Sequence, residues 1–152
     1  MLTYKIYDSI NLTTTQEKNQ LVEFLYTHLD EFRDSKTDIT KAIDYALKIT
    51  SDDGGFILAG YYGKPLVGAV VINRTGMQGY IPENILVFIA VDKTYRGKGF
   101  GKMLMKEAMK LAKGDIALHV EPNNPARFLY EKLGFTSKYI EMRYKKEVNE
   151  VS

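Results

Sequence analysis

The chain has 152 residues, 45% of them hydrophobic and 26% charged, with no cysteine, two histidines and a formal net charge of +2. That length and composition predict one globular domain, and the charge is too small to argue for a nucleic-acid or membrane-surface partner. Without cysteine there is no disulfide scaffold, thiolate nucleophile or Cys-ligated zinc, and His28 and His119 alone make no plausible His-based site, so no metal is expected.

The start, Met1 to Ile10, has no basic region followed by an apolar run, and no stretch approaches the roughly 18 apolar residues that span a bilayer, so a cytoplasmic protein is expected. Residues 1–152 read as a single domain with a soft polar tail at about 147–152. Thr3 to Tyr7 reads as a strand. The run Thr13-Thr14-Thr15 then offers an N-cap for a helix to about Phe32, with Leu21, Phe24, Leu25 and Leu29 on one face. A second helix is predicted from a cap at Thr37 or Asp38, carrying Ile39, Ala42, Ile43, Ala46, Leu47 and Ile49 before Asp52-Asp53-Gly54-Gly55 breaks it.

Phe56 to Tyr61 and Leu66 to Ile72 flank Gly63-Lys64-Pro65 as an antiparallel hairpin should. After a polar stretch, Ile85 to Val91 is apolar without alternation, which predicts a central strand covered on both faces. Gly101 to Lys113 has helical spacing of Leu104, Met105, Ala108, Leu111 and Ala112, and Gly114 closes it. Ile116 to Val120 is a further strand, Pro125 opens a short helix to about Leu133, and strands are expected at Phe135 to Ile140 and Glu141 to Lys146. The fold class expected is α/β: a mixed, mostly antiparallel sheet of six to seven strands flanked by about four helices. One parallel pair should form where the Gly101 helix crosses over.

The segment Asp92-Lys93-Thr94-Tyr95-Arg96-Gly97-Lys98-Gly99-Phe100-Gly101-Lys102 lies between that strand and an amphipathic helix. Glycines allow tight turns, successive N–H groups point into such a loop, and a helix start adds positive potential, so a phosphate or pyrophosphate is the natural guest. A Walker loop fails because Gly101-Lys102 is followed by Met103, not Ser or Thr. A dinucleotide fingerprint fails because Lys102 stands where the third glycine belongs, and Glu121 is trapped before Pro122. A basic surface turn that merely caps a helix remains the plain alternative. Lys93, Arg96, Lys98, Lys102 and Lys106 are too few for a nucleic-acid patch and have only Tyr95 and Phe100 among them for stacking.

Arg96, Gly99 and Gly101 meet the pattern Arg-x-x-Gly-x-Gly, and Asn123, Ala126, Tyr130, Gly134 and Phe135 follow as strand, Asn, helix with Tyr, then Gly-Phe. In these two segments the chain resembles the GCN5-related N-acetyltransferase (GNAT) superfamily. The resemblance implies a GNAT-like fold, acetyl-CoA as cosubstrate, and direct transfer to a primary amine of a small molecule or amino-acid-like compound. A peptide or protein amine is the alternative acceptor, and an acyl-CoA sensor without turnover is the alternative to an enzyme. It also implies cofactor contacts from Phe88, Ile89, Ala90, Val91, Arg96, Gly97, Lys98, Gly99, Phe100, Gly101, Lys102, Asn123, Ala126 and Tyr130. A backbone N–H near Val91 would face the thioester oxygen, with pantetheine inserted like a strand. As partners it implies acetyl-CoA and an amine acceptor, with no nucleic acid and no membrane, the chain being monomer or homodimer.

Acetyl transfer needs a neutral amine, a donor to the carbonyl oxygen as it gains charge, and a proton for the departing thiolate. Tyr130 stands where the resembled family carries the Tyr that hydrogen-bonds the CoA sulfur, although packing beside Ala126, Leu129 and Leu133 also accounts for it. For the base, Glu83 is the first candidate, with Glu121 and His119 open beside it and a solvated loop carboxylate the plain reading of Glu83. Protein-amine members often place a Glu where Leu118 falls here. Glu17, Glu23, Asp30, Glu31, Asp34, Asp38 and Asp44 on the first helices, with Glu83 and Tyr80, suggest an acidic, aromatic acceptor side that favours a cationic amine; solvated helix faces are the alternative.

Overall fold

The computed structural model describes residues 1–147 and divides after Leu118 into two compact units, so the tail expected at about 147–152 lies almost entirely outside the described residues. The first unit is built on one mixed sheet in the order β1-β2-β3-β4-β5. Its strands are β1 (Thr3–Tyr7), β2 (Gly55–Tyr61), β3 (Leu66–Arg74), β4 (Asn84–Val91) and β5 (Ile116–Leu118). The first four pair antiparallel, including the expected β2–β3 hairpin, whereas β4 and β5 run parallel. A parallel pair needs a crossover, and α3 (Phe100–Leu111) supplies it.

Helix α1 (Thr15–His28) starts on a capping box: Glu17 donates its N–H to the Thr14 hydroxyl at 3.0 Å, and the Thr14 N–H reaches the Glu17 carboxylate at 2.8 Å. It closes at His28 instead of Phe32, because Asp30 turns into the left-handed region with φ 56° and residues 30–32 form a 3-10 turn. Helix α2 (Lys36–Ala46) is capped by the Ser35 hydroxyl, which accepts the Asp38 N–H at 3.1 Å, not by Thr37 or Asp38. Leu21, Phe24 and Leu25 of α1 and Ile39 and Ile43 of α2 bury themselves against Ile57, Ala59, Ala69, Val71, Phe88 and Ala90. On the opposite face α3 lies close, because Gly60 and Gly68 leave room for Leu104, whose methyl groups occupy the space where their β-carbons would stand.

The doubly covered strands are therefore β2 and β3, not β4. Along β4 buried and half-buried residues alternate, and the strand lies next to the sheet edge, with β3 in the middle. Asn84, the one buried polar residue among the described residues, ties the start of β4 to the end of the crossover by donating to the carbonyls of Lys113 at 2.8 Å and Asp115 at 3.2 Å.

In the second unit α4 (Ala126–Lys132) follows a turn in which the Asn124 carboxamide oxygen accepts the Ala126 N–H at 2.9 Å. Tyr130 packs its ring 6.0 Å from that of Phe135. The two strands expected between Phe135 and Lys146 are not formed; Tyr139, Ile140, Met142 and Tyr144 are exposed in irregular chain. The sheet accordingly has five strands among the described residues, one or two fewer than expected.

Candidate active site

The Asp92 N–H donates to the Val67 carbonyl at 2.8 Å, which turns the N–H and C=O of Val91 away from β3. On that side β5 reaches only as far as Leu86, opposite Leu118, so β4 has no strand partner there from Val87 onward among the described residues. The Val91 carbonyl is taken by Arg96 Nε at 3.1 Å; its N–H has no partner among the described residues. Phe88 and Ala90 are buried under α1 and α2, while Ile89 and Val91 are half-buried on the other face.

The chain then makes a 3-10 turn over Lys93–Tyr95, capped by the Asp92 carboxylate, which accepts the Thr94 N–H at 2.9 Å. Gly97 and Gly99 take left-handed φ values of 81° and 82°, and a β-carbon on either would meet no atom within 4 Å, so that side of the loop is open. Gly99 is the N-cap of α3 and provides no side-chain cap. The N–H groups of Gly97, Lys98, Gly99, Phe100, Gly101 and Lys102 thus find no acceptor among the described residues. Phe100 is buried at the helix start, with Tyr62 and Tyr95 at 5.3 and 6.4 Å, and fixes where α3 begins. Six successive donors at a helix N-terminus form an anion cradle, which fits a pyrophosphate.

Of the basic residues expected around the cradle, Lys98, Lys102 and Lys106 are exposed and make no ion pair among the described residues. Arg96 is differently employed: besides Val91, its guanidinium donates to the His28 carbonyl at 2.7 Å and the Asp30 carboxylate at 3.2 Å. Lys93 pairs with the same carboxylate, its N–H donates to His28 Nδ1 at 3.3 Å, and His28 Nε2 faces Asp92 at 3.6 Å. His28 and Asp30 are the residues that sequence reasoning missed as partners of this loop.

Glu83 accepts the N–H of Asp115 at 2.7 Å and that of Gly79 at 3.0 Å, and these bonds hold its carboxyl below the usual glutamate range. A carboxylate so occupied is a weakened base. His119 lies beyond the end of β5 and is exposed, as is Glu121, both in the second unit. There Asn123 is exposed, Ala126 is half-buried with its N–H taken by Asn124, and burial alone pushes the Tyr130 phenol up to about 12.

Most of the acidic groups expected to draw a cationic acceptor are neutralised. Glu17 pairs with Lys5, Glu23 with Lys36, Asp30 with Lys93 and Arg96, Asp38 with Lys41 and Asp44 with Lys18. Exposed pairs of this kind leave little net field, so the expectation of an acidic acceptor side is not supported. Tyr80 is 79% exposed on the β3–β4 loop.

The family model described as the acetyltransferase (GNAT) family matches residues 17–135. The [ribosomal protein bS18]-alanine N-acetyltransferase of Haemophilus influenzae is 41% identical over 71 residues, 44% of this chain and 49% of that protein. The N-alpha-acetyltransferase RimI of Mycobacterium tuberculosis is 33% identical over 84 residues, 54% of this chain and 52% of that protein. The matches therefore span about half the length of these curated relatives. An aminoglycoside N-acetyltransferase solved in complex with CoA shares the fold with a TM-score of 0.69 at 12% identity, covering 97% of this chain and 96% of that one. No helix among the described residues is long and apolar enough to cross a membrane.

Proposed function

The chain belongs to the GNAT acetyltransferase family, and from that premise we infer that it transfers the acetyl group of acetyl-CoA directly to a primary amine. The observation that carries this reading is the row of N–H groups from Gly97 to Lys102 that have no partner among the described residues, adjoining the strand end where the Val91 N–H has none either. The cradle takes the pyrophosphate, with Lys98 and Lys102 beside it. Pantetheine lies along β4 past Val87, against Ile89 and Val91, with Phe88 and Ala90 supporting the strand from below. Asn123 and Ala126 belong with Tyr130 to the second segment of the family pattern, and it is on that pattern that we assign them to the cofactor.

Transfer then proceeds by attack of the amine nitrogen on the thioester carbon. The Val91 N–H stabilises the oxyanion, the C–S bond breaks, the nitrogen loses its proton to solvent, and the thiolate takes a proton from solvent. With no cysteine to carry the acyl group, no covalent enzyme intermediate is needed. Tyr130 serves the sulfur: a phenol held at about 12 keeps its proton and stabilises the thiolate chiefly by hydrogen bonding.

The acceptor we favour is the α-amine of a peptide or protein N-terminus. Two considerations support it over the small cationic amine expected from the sequence. Most of the acidic groups that would steer a small cation are paired, and the first candidate base, Glu83, is occupied. A site without a strong base works best on an amine that is already neutral. At pH 7 roughly a tenth of α-amines, with pKa near 8, are neutral, against roughly four in ten thousand lysine amines with pKa near 10.4. The names of the two curated relatives point the same way.

Incubating the protein with acetyl-CoA and peptides with free or blocked N-termini, and following free thiol, tests this reading. Thiol release that needs the free α-amine is expected. Binding of acetyl-CoA with no thiol release to any amine would instead mark a sensor module.

A further inference from the structure

The end of α1 is held in an unfavourable conformation, and the side chain at that point reaches the anion cradle's loop. Asp30 follows the C-cap Leu29 with φ 56°, a left-handed position where glycine carries no steric penalty and a β-carbon does. Glycine would serve the turn better, so the carboxylate has another use. It pairs with Lys93 and accepts from Arg96 at 3.2 Å, across 66 residues of chain. Arg96 is the residue from which the loop departs into Gly97 and Gly99, where an added β-carbon would meet no atom within 4 Å. Its other two acceptors are the carbonyls of His28 and Val91, so one guanidinium joins the end of α1, the end of β4 and the first residue before the cradle.

We propose that Asp30 is a positioning residue for acyl-CoA, acting through Arg96 and Lys93 to hold the entrance of the 97–102 cradle so that its N–H groups are aligned before the ligand arrives. The proposal rests on reading that cradle as the pyrophosphate site. An acidic residue here also repels a phosphate, but the two cations it pairs with offset its charge, and salt at 0.15 M screens the remainder beyond about 8 Å. Loss of alignment outweighs loss of repulsion: a loop carrying two glycines at left-handed φ, with open space on their β-carbon sides, has much conformational freedom to lose on binding.

Asp30→Gly removes the carboxylate and relieves the backbone at once, which separates alignment from stability. At 0.15 M salt this variant should melt no lower than wild type, bind acetyl-CoA about three- to tenfold more weakly by calorimetry, and raise the KM for acetyl-CoA equally with kcat within about twofold. Asp30→Asn tolerates the left-handed turn and keeps an acceptor for Arg96, and should recover most of the affinity. In an Arg96→Ala background the effect of Asp30→Gly should shrink to about twofold or less. Wild-type or tighter binding by Asp30→Gly, or an undiminished effect without Arg96, would overturn the positioning role. Gly99→Asp is the control for the premise. If it bound acetyl-CoA as wild type does, the cradle reading itself would fall, and the proposal with it; if it did not bind while Asp30→Gly bound normally, only the positioning role would fall.

Discussion

The Glu83 carboxylate accepts the backbone N–H of Asp115 at 2.7 Å, joining residues 32 positions apart where β4 and β5 begin to run parallel. The bond sits beside that between the Asn84 N–H and the Asp115 carbonyl at 3.0 Å, and Gly114 leaves room for it, since a β-carbon there would strike the Glu83 side chain. Because the ionised form makes these bonds, the Glu83 pKa is lowered in the folded protein. Its stabilisation is therefore present above the ordinary glutamate pKa and fades as pH falls below it. Glu83→Gln should lower Tm at pH 7, the gap to wild type closing only as pH falls from the ordinary glutamate value through the lowered one of the folded protein, while kcat at a temperature where both are folded changes less than about threefold. A loss of a hundredfold in kcat would restore Glu83 as the base.

Local features of the fold were legible because they are written in contiguous residues. The Thr13-Thr14-Thr15 cap of α1, the spacing of Leu104 with Met105 and Ala108, and the turn at Gly63-Lys64-Pro65 each specify an element without help from distant chain. The cradle was legible for the same reason, since Arg96 to Lys102 is a single run. The clamp was not, because nothing near Asp30 in the sequence announces Arg96, 66 residues away. Nor was the exposure of β4: Ile85 to Val91 are all apolar, so polarity cannot report that one face is only half-covered. Tyr139, Ile140, Met142 and Tyr144 have strand-forming side chains but no neighbouring strand, and propensity alone does not make a sheet.

Gly99→Asp should abolish measurable acetyl-CoA binding. The substitution forces a β-carbon onto a φ of 82° and brings a carboxylate to the N-terminus of α3, where the proposed ligand carries its own negative charge. Gly99→Ala separates the two effects: it meets no atom within 4 Å, so it suffers strain without repulsion and should weaken binding by about tenfold or less. Titration calorimetry on both variants, with thermal melts to show that they fold, checks the order. Equal affinities for the two variants would mean that charge at this position is irrelevant and no phosphate lies there.

Tyr130→Phe should lower kcat by about tenfold to a hundredfold with little change in acetyl-CoA affinity, the range expected when one hydrogen bond to a developing anion is removed. Burial raises the phenol pKa to about 12, so the folded state favours the protonated form. Whatever stability this gives is complete below the ordinary tyrosine value of about 10 and is lost as pH climbs toward 12. Over the working range the phenol therefore does not titrate, and no alkaline limb of the kcat profile between pH 7 and 10 should disappear in the Phe variant. A limb that vanished with the hydroxyl, or an unchanged kcat under chemistry-limited conditions, would remove Tyr130 from the reaction as described.

If the acceptor itself, and no protein base, supplies the neutral nitrogen, the acid limb of kcat/KM for the acceptor must follow the acceptor's own pKa. For a peptide with a free alanine N-terminus the limb should break near pH 8, and for a blocked peptide with one lysine it should keep rising to about pH 10. At pH 7 the first peptide should react faster by roughly the ratio of neutral fractions, about 230-fold, before any difference in binding. Because Glu17, Glu23, Asp30, Asp38 and Asp44 are paired, adding charge to the rest of the peptide should alter the rate only a few-fold, and raising the salt should alter it little. Steady-state thiol release across pH 6 to 10 with the two peptides separates the possibilities. A break at one pH for both would report a titrating group on the protein, and the search for a side-chain base would then return to Glu121 and His119.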